Sequence, residues 1–577
     1  MKLKYVVPFT LITFFSLSSC SCSNTNNGGV APGISVSLPT EIDEPNITAP
    51  FSIKNSSGTA LSGEGNVYTI TTAGSYTVTG LLEEGQIVVS VGDNANVELI
   101  LEGTKITSST DSVIKALSGN KLEVKAKNGY TNLIKDLRPE MTSDISTVTK
   151  GSINSKIDTK FTGQGTLLVK SSYSDGVHCT KDVEIQNLTL QANGTFNAIK
   201  SKDSITVNSG TVTLFSTKGQ GFKTVNTDVS SAGNQRGTVS INGGSVGFNV
   251  CFDAIDAAYN AVIQQSDKST PTTVGLYTGK NSSYGDNYVK TTSAKGIKAW
   301  NEVKIGGGDV VIAASDDAIH ANYGTALMNG ATGVGNVTIS GGNIGIASGD
   351  DGIHADNTFT FSDGTLQVTN STEGIESNHI SISGGYIYVY GTDDGVNASK
   401  KIDENPTIEI SGGFLDVAVT GDDVDGIDSN GDFTQTGGVV VSRGSASSQS
   451  GLSTALDCDG TATISGGTFI AFNGLEKAPG RSGSVIYAGT FAEGSSEGQV
   501  PPGDGGHKPR AILKAAYTNG TYTLVGGDMN ITFANYHEYS SFCVYSDLLK
   551  TSTSYKLSNG SSEVLSWTQT SDSQVIE

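Results

Sequence analysis

The chain has 577 residues, 73 of them Gly, with 16% charged residues and a net charge of −21. That composition suits a β-rich chain with many corners and excludes a coiled coil or a disordered polymer. The negative balance excludes nucleic acid and anionic lipid surfaces as partners, and favours cations, neutral ligands, or anions bridged by a divalent metal.

Met1-Lys2-Leu3-Lys4 and the apolar run Tyr5 to Leu17 read as a secretory signal over 1–19, too short to remain as a membrane span. The tetrapeptide Leu17-Ser18-Ser19-Cys20 is similar to a bacterial lipobox. Cys20 is therefore expected to be lipidated, anchoring the protein to the cell envelope at the outer membrane or cell surface, with 20–34 as a flexible tether. Ordinary secretion with cleavage nearby is the alternative.

Residues 35–170 read as irregular early coils, with short strands at Gly74-Ser75-Tyr76-Thr77-Val78, Gln86-Ile87-Val88-Val89 and Val97-Glu98-Leu99-Ile100-Leu101. Val113-Ile114-Lys115-Ala116 is a degenerate copy of a phrase that recurs later, and Thr131 to Asp158 reads as a polar excursion.

From 171 to 475 that phrase dominates. It is clearest in Asp350-Asp351-Gly352-Ile353-His354-Ala355 and returns at Asp316-Asp317-Ala318-Ile319-His320-Ala321, Glu373-Gly374-Ile375-Glu376-Ser377, Asp393-Asp394-Gly395-Val396-Asn397-Ala398 and Asp425-Gly426-Ile427-Asp428-Ser429. Weaker copies start at Asp175, Ala198, Gly221, Asp253, Gly296 and Ala455. Aligned on the Gly/Ala position, the steps are 22, 23, 33, 42, 22, 34, 22, 21, 31 and 29 residues. A basic step near 22 with insertions at Asp267 to Ser293 and Met328 to Gly333 is a solenoid, and the period-two apolar alternation makes its coils strands. A second phrase, Ile-Ser-Gly-Gly, ends at Gly342, Gly385, Gly413 and Gly467 and marks a corner about midway between copies of the first.

The pattern predicts an all-β fold: a right-handed parallel β-helix with a small β-rich C-terminal cap. Residues 476–508 read as a loop. Residues 509–577 read as the cap, with strands at Ala511-Ile512-Leu513, Tyr522-Thr523-Leu524 and Phe542-Cys543-Val544-Tyr545. Stacked coils put equivalent residues about 4.8 Å apart. One interior ladder then reads Val177, Ile199, Phe222, Ile255, Ile297, Ile319, Ile353, Ile375, Val396, Ile427, Leu456. The residue after each rung faces water: Lys200, Lys223, Asp256, Lys298, His320, His354, Glu376, Asn397, Asp428, Asp457. Cys179 and Cys458 lie too many coils apart to be bridged, and Cys251 and Cys543 default to buried free thiols.

The candidate metal ligands are Asp316, Asp317, Asp350, Asp351, Asp393, Asp394, Asp422, Asp423 and Asp425, which recur at one corner of the coil. Carboxylates about 4.8 Å apart repel by roughly 1 kcal/mol in water and roughly 3 to 4 kcal/mol at an effective dielectric near 20. Calcium, which accepts six to eight oxygens in a tolerant geometry, offsets that repulsion. The same aspartates also suit Asx turns. His320 and His354, adjacent on the outward row, lack a fixed third ligand for zinc. Candidate carbohydrate contacts are the outward tyrosines Tyr386, Tyr388 and Tyr390, with Gly345 and Gln367 before them and Asp416 after, together with Trp300. Lys200, Lys223 and Lys298 are candidate contacts to acidic sugars.

The opening Gly74-Ser75-Tyr76-Thr77-Val78-Thr79-Gly80 and Leu99-Ile100-Leu101-Glu102-Gly103, the two repeated phrases, and the closing Ser546-Asp547-Leu548-Leu549 and Ser554-Tyr555-Lys556-Leu557 resemble one known family. It is that of bacterial carbohydrate-binding β-helix proteins first described in cellulose-degrading clostridia, similar in shape to pectate lyases. The resemblance implies binding of cellulose or acidic sugars, with calcium in the fold. Phe196-Asn197-Ala198-Ile199-Lys200 and Lys218-Gly219-Gln220-Gly221-Phe222-Lys223 lack the acidic residue, so the resemblance carries no metal site to those coils. The expected function is a non-catalytic, monomeric, polysaccharide-binding lipoprotein recognising cellulose-like or uronate glycans. A calcium-dependent polysaccharide lyase and a structural or adhesive stalk are the alternatives.

Overall fold

The computed structural model describes residues 37–143, 148–267, 270–285, 288–289, 292–324, 333–447, 453–489 and 517–576. The signal segment, Cys20, the tether and the strand expected at Ala511-Ile512-Leu513 lie outside them. The chain forms two compact units, Val36–Gly335 and Asn336–Glu577.

The N-terminal unit is a parallel β-helix whose coils contribute to three strand ladders. One carries the recurring phrase: Asp175–Cys179, Ile199–Ser201, Phe222–Lys223, Ile255–Ala257, Ile297–Ala299 and Ile319–Ala321 pair in order and in parallel. Its interior rungs Val177, Ile199, Phe222, Ile255, Ile297 and Ile319 are all at most 1% exposed. The ladder also extends backwards through Ile153, Ile114, Ile87 and Tyr68. The early coils therefore share the register of the later ones, although Ile87 and Ile153 lack the flanking phrase. The excursion expected over Thr131 to Asp158 is smaller, because Thr131–Asp136 and Gly151–Ser155 are strands of the helix. Thr273–Thr278, inside the insertion expected from Asp267, likewise pairs with Ser245–Val250. At the other edge, Ser52–Asn55 runs antiparallel to Gly74–Leu82 and covers its open backbone groups.

The C-terminal unit repeats the plan. Ile353, Ile375, Val396, Ile427 and Leu456 stack rung on rung, each at most 1% exposed. Burying one such aliphatic side chain contributes about 1.5–3 kcal/mol, so the column is a principal source of stability. The second glycine of each corner phrase has positive φ, 95° at Gly342, 70° at Gly385, 82° at Gly413 and 77° at Gly467, a conformation that a Cβ would strain. The last coil strand, Thr468–Phe472, is closed by Ser541–Ser546 running antiparallel to it. Ser541–Ser546 also pairs with Ser484–Gly489, so the loop expected over 476–508 contains a strand. The cap is a four-stranded antiparallel sheet of Gly520–Gly526, Met529–Asn535, Ser554–Asn559 and Ser562–Thr568. Phe472, Tyr517, Tyr522, Phe533 and Phe542 pack together beneath it.

Cys179, Cys251, Cys458 and Cys543 are buried free thiols.

Candidate functional site

Strand alternation gives every phrase coil the same local geometry. One residue faces outward between two interior rungs, and the residue three positions earlier sits at the preceding corner, within reach of it. The bonds His178 Nδ1 to Asp175 Oδ2 at 2.7 Å, His320 Nδ1 to Asp317 Oδ2 at 2.6 Å and His354 Nδ1 to Asp351 Oδ2 at 2.8 Å are three instances. Parallel register then stacks these corner-and-outward pairs into two columns.

In the N-terminal unit the outward column is mostly basic. His178, Lys200, Lys223, Asp256, Lys298 and His320 occupy successive rungs, all half-buried. Lys223 Nζ meets Asp256 at 2.8 Å, and Lys298 Nζ lies 5.7 Å from the centre of the Trp300 ring. Lys200 Nζ has no hydrogen bond or ion pair among the described residues. At the corner, Lys295 Nζ lies 2.8 Å from Asp316 and 2.6 Å from Asp317. Against the burial that would raise it, His320 and Lys295 hold the Asp317 carboxyl well below the usual range. Asp316 and Asp317, expected to face a calcium ion, thus face a lysine and a histidine that already offset their charge.

In the C-terminal unit the outward column reads His354, Glu376, Asn397, Asp428, Asp457. Corner residues Asp351, Glu373, Asp394 and Asp425 stand beside the first four. His354 anchors one end: Nδ1 is 2.8 Å from Asp351 and 2.9 Å from Glu376, and Nε2 is 3.3 Å from Asp356. Against burial, which lowers it, these carboxylates raise the imidazole to about 11, so the ring is a fixed cation at neutral pH. Lys401 completes the neutralisation, 2.6 Å from Glu376.

Beyond Glu376 the counter-charge thins, with Lys477, 3.2 Å from Glu476, acting on Asp457. Burial, then Asp394, Asp457, Asp425 and Asp459, push Asp428 up to about 8. Burial, then Asp394 and Asp457, push Asp425 up to about 7 against hydrogen bonds from Thr454, and burial with Asp393 and Asp423 pushes Asp394 up to about 6. Asp457 is raised by burial and by sharing a proton with Glu476, and Glu373 by burial and by Glu376. Asn397, 7% exposed, donates Nδ2 to Glu373 at 3.0 Å, while its Oδ1 is buried without a hydrogen-bond partner among the described residues. Asn397 Oδ1 is thus an unpartnered oxygen on the rung between Glu376 and Asp428.

The remaining aspartates at these corners divide by position. Asp351 and Asp425 turn inward at 7% and 9% exposure, and Asp394 is half-buried. Asp350, Asp393, Asp422 and Asp423 are exposed. The second carboxylate of each corner thus reaches the column while its predecessor meets solvent. Asn397, Asp428, Asp457 and Glu373 are the members that the sequence reading left in a solvated row or unassigned. Applying the three-residue offset from Asp394 and Asp425 would have found Asn397 and Asp428.

The tyrosine platform is not open. Register places Gln367, Tyr388 and Asp416 side by side as expected. However, Tyr388 is 6% exposed beneath Tyr536 of the cap, ring centres 5.5 Å apart, and Tyr386 stacks on Phe414 at 5.6 Å. Asp416 is buried in a 2.5 Å ion pair with Arg443, which also donates to the Ala534 carbonyl. These tyrosines seat the cap. Tyr390, half-buried, remains at its margin.

A relative from Acetivibrio thermocellus, described as a carbohydrate-binding domain-containing protein, is 29% identical over 126 residues, 21% of this chain and 44% of that protein. The match thus spans less than half the length of that relative. A solved structure described as the polysaccharide lyase-like protein from C. thermocellum, a gadolinium derivative, is 26% identical, with a TM-score of 0.34 over 37% of this chain and 83% of that one. Residues 64–336 and 324–477 each match one family profile, and together they cover most of the chain. The chain belongs to the family of carbohydrate-binding domain-containing proteins.

Proposed function

We propose that the protein is a non-catalytic polysaccharide-binding lipoprotein of the cell envelope, anchored through Cys20, which holds acidic or cellulose-like glycans through calcium. The ion is assigned to the C-terminal unit, where Asp394, Asp425, Asp428 and Asn397 would supply oxygens. The observation that carries this reading is the buried, unpartnered Asn397 Oδ1 beside Asp428, whose carboxyl burial and its acidic neighbours push up to about 8. A bound divalent ion would neutralise the column and offer open coordination positions to a uronate carboxylate or a sugar hydroxyl. In the N-terminal unit, Lys200, Lys223 and Lys298 beside Trp300 provide complementary charge and an aromatic edge to the same class of ligand. A glycan array run with calcium and with chelator tests the proposal. Stronger retention of acidic glycans in calcium than under chelator is expected, and retention unaffected by chelator contradicts the calcium assignment. Polygalacturonate incubated with the protein should yield no unsaturated, ultraviolet-absorbing ends; their formation would replace the binding reading with a lyase, and retention of no glycan would favour a stalk.

A further inference from the structure

Residues 39–44 run along the outside of the N-terminal unit, across the strands rather than beside them. Pro39 sits on Gly247, where a Cβ would meet its ring at 2.6 Å, and its carbonyl accepts from Asn249 at 3.4 Å. The Ile42 amide donates to Gln191 Oε1 at 2.6 Å. Glu41 meets Lys170 at 2.8 Å and accepts from the Tyr284 hydroxyl at 3.0 Å, and Glu44 meets Lys135 at 2.8 Å. Gly247 and Lys135 are four rungs apart in register, about 19 Å. Five extended residue steps span about 17 Å. The segment is therefore an extended chain laid along the coil axis, with carboxylates over a pair of lysines on adjacent rungs.

Three further observations concern what this segment covers. It precedes the family match, which begins at residue 64, whereas the face beneath it lies within that match. Leu133 and Leu168, on the outward side of their strands, are fully buried. Between the rungs that hold Ile42 and Pro39, Thr213 Oγ1 is buried with no hydrogen-bond partner among the described residues, so the peptide leaves part of the polar face unsatisfied. The ion pairs are partly exposed, with Glu41 at 42% and Lys135 at 29% side-chain exposure, which makes them weak and readily exchanged.

We propose that this face is a binding groove for an extended acidic glycan, and that residues 39–44 occupy it as an internal stand-in which the glycan displaces. A linear polyuronate offers the same features in the same order: an extended backbone, carboxylates along it for Lys135 and Lys170, a CH face for the leucines, and hydroxyls for Thr213. The inference rests on the polysaccharide-binding reading but needs no calcium.

The test is titration of an oligogalacturonate into the mature chain under chelator, with a parallel arm in calcium. The proteins are wild type, Glu41→Gln/Glu44→Gln, and a variant lacking residues 37–46. Releasing an intramolecular competitor whose effective concentration is in the millimolar range raises affinity by about tenfold or more. Both variants are expected to show that gain under chelator, and adding Lys135→Ala/Lys170→Ala should abolish it. Circular dichroism melts confirm that each variant is folded. If neither folded variant gains chelator-resistant affinity, or if the gain survives loss of the lysines, the groove is refuted and the segment is only a cover. Loss of wild-type binding in the calcium arm would count against the calcium column and leave the groove standing.

Discussion

Asp428→Asn should stabilise the protein without calcium and lose most of that advantage in calcium. Asp428 rises from an ordinary 3.8 to about 8 because it is buried against Asp394, Asp457, Asp425 and Asp459. A shift of ~4 units corresponds to ~6 kcal/mol at ~1.4 kcal/mol per unit. The neighbouring carboxyls titrate with it and share the cost, so we take ~3 kcal/mol for the single site at pH 8. Asparagine keeps the size and hydrogen-bonding capacity of the side chain and removes the charge. For a unit the size of Asn336–Glu577, ~3 kcal/mol is a rise of ~6–12 °C in melting temperature under chelator. In calcium at about a hundred times its dissociation constant, wild type gains ~2.7 kcal/mol that the variant, short of one anionic ligand, largely forgoes. The assay is a thermal melt followed by far-ultraviolet circular dichroism at pH 8, with chelator and with calcium. A variant that melts at or below wild type under chelator would refute the uncompensated charge. A gap between variant and wild type that calcium leaves unchanged would refute the ion.

Further outcomes follow from the same geometry. Without calcium, Asp394, Asp425 and Asp428 retain protons in the folded state that the unfolded chain has released. Stability should therefore fall as pH rises from about 4 to about 8, a slope that saturating calcium flattens, and denaturant titrations across that range measure it. Asn397→Ala should weaken calcium binding about tenfold in calorimetric titration while leaving the chelated protein folded, since the side chain's main bond is to Glu373 alone. His354→Ala leaves Asp351, Glu376 and Asp356 facing one another and should cost about 3–5 kcal/mol in urea unfolding at pH 7. Ile375→Ala, in the middle of the interior column, should cost about 2–5 kcal/mol with no change in calcium affinity.

The ladders were legible because a phrase recurring near every 22 residues fixes which side chains stack, and strand alternation fixes which of them point inward. Ile297 and Ile319 in one unit, and Ile353 and Ile375 in the other, stack as that reasoning requires, each fully buried. The charge column was only partly legible. Read within one coil, Asp428 and Asp457 are outward residues and look solvated; their burial and mutual repulsion come from the coils above and below and from corners three residues back. Conversely, Asp316 and Asp317 look uncompensated until Lys295, on the neighbouring coil, is brought beside them. The tyrosine face was misread for a different reason. Its cover comes from Tyr536, nearly 150 residues away, held by the buried Arg443, and no local pattern marks either residue as a lid on Tyr388. The early coils look irregular in sequence because Ile87 and Ile153 keep the interior column without the flanking acidic and glycine residues.

The most direct measurement is a crystal structure grown with calcium and an acidic oligosaccharide, with anomalous data collected to locate the ion. We expect an anomalous peak about 2.3–2.6 Å from Asn397 Oδ1 and from carboxylate oxygens of Asp394 or Asp428, with a sugar oxygen completing the shell. Asn397 Oδ1 bonded to a water or a protonated carboxyl, with no peak in the column and the sugar elsewhere, would contradict it.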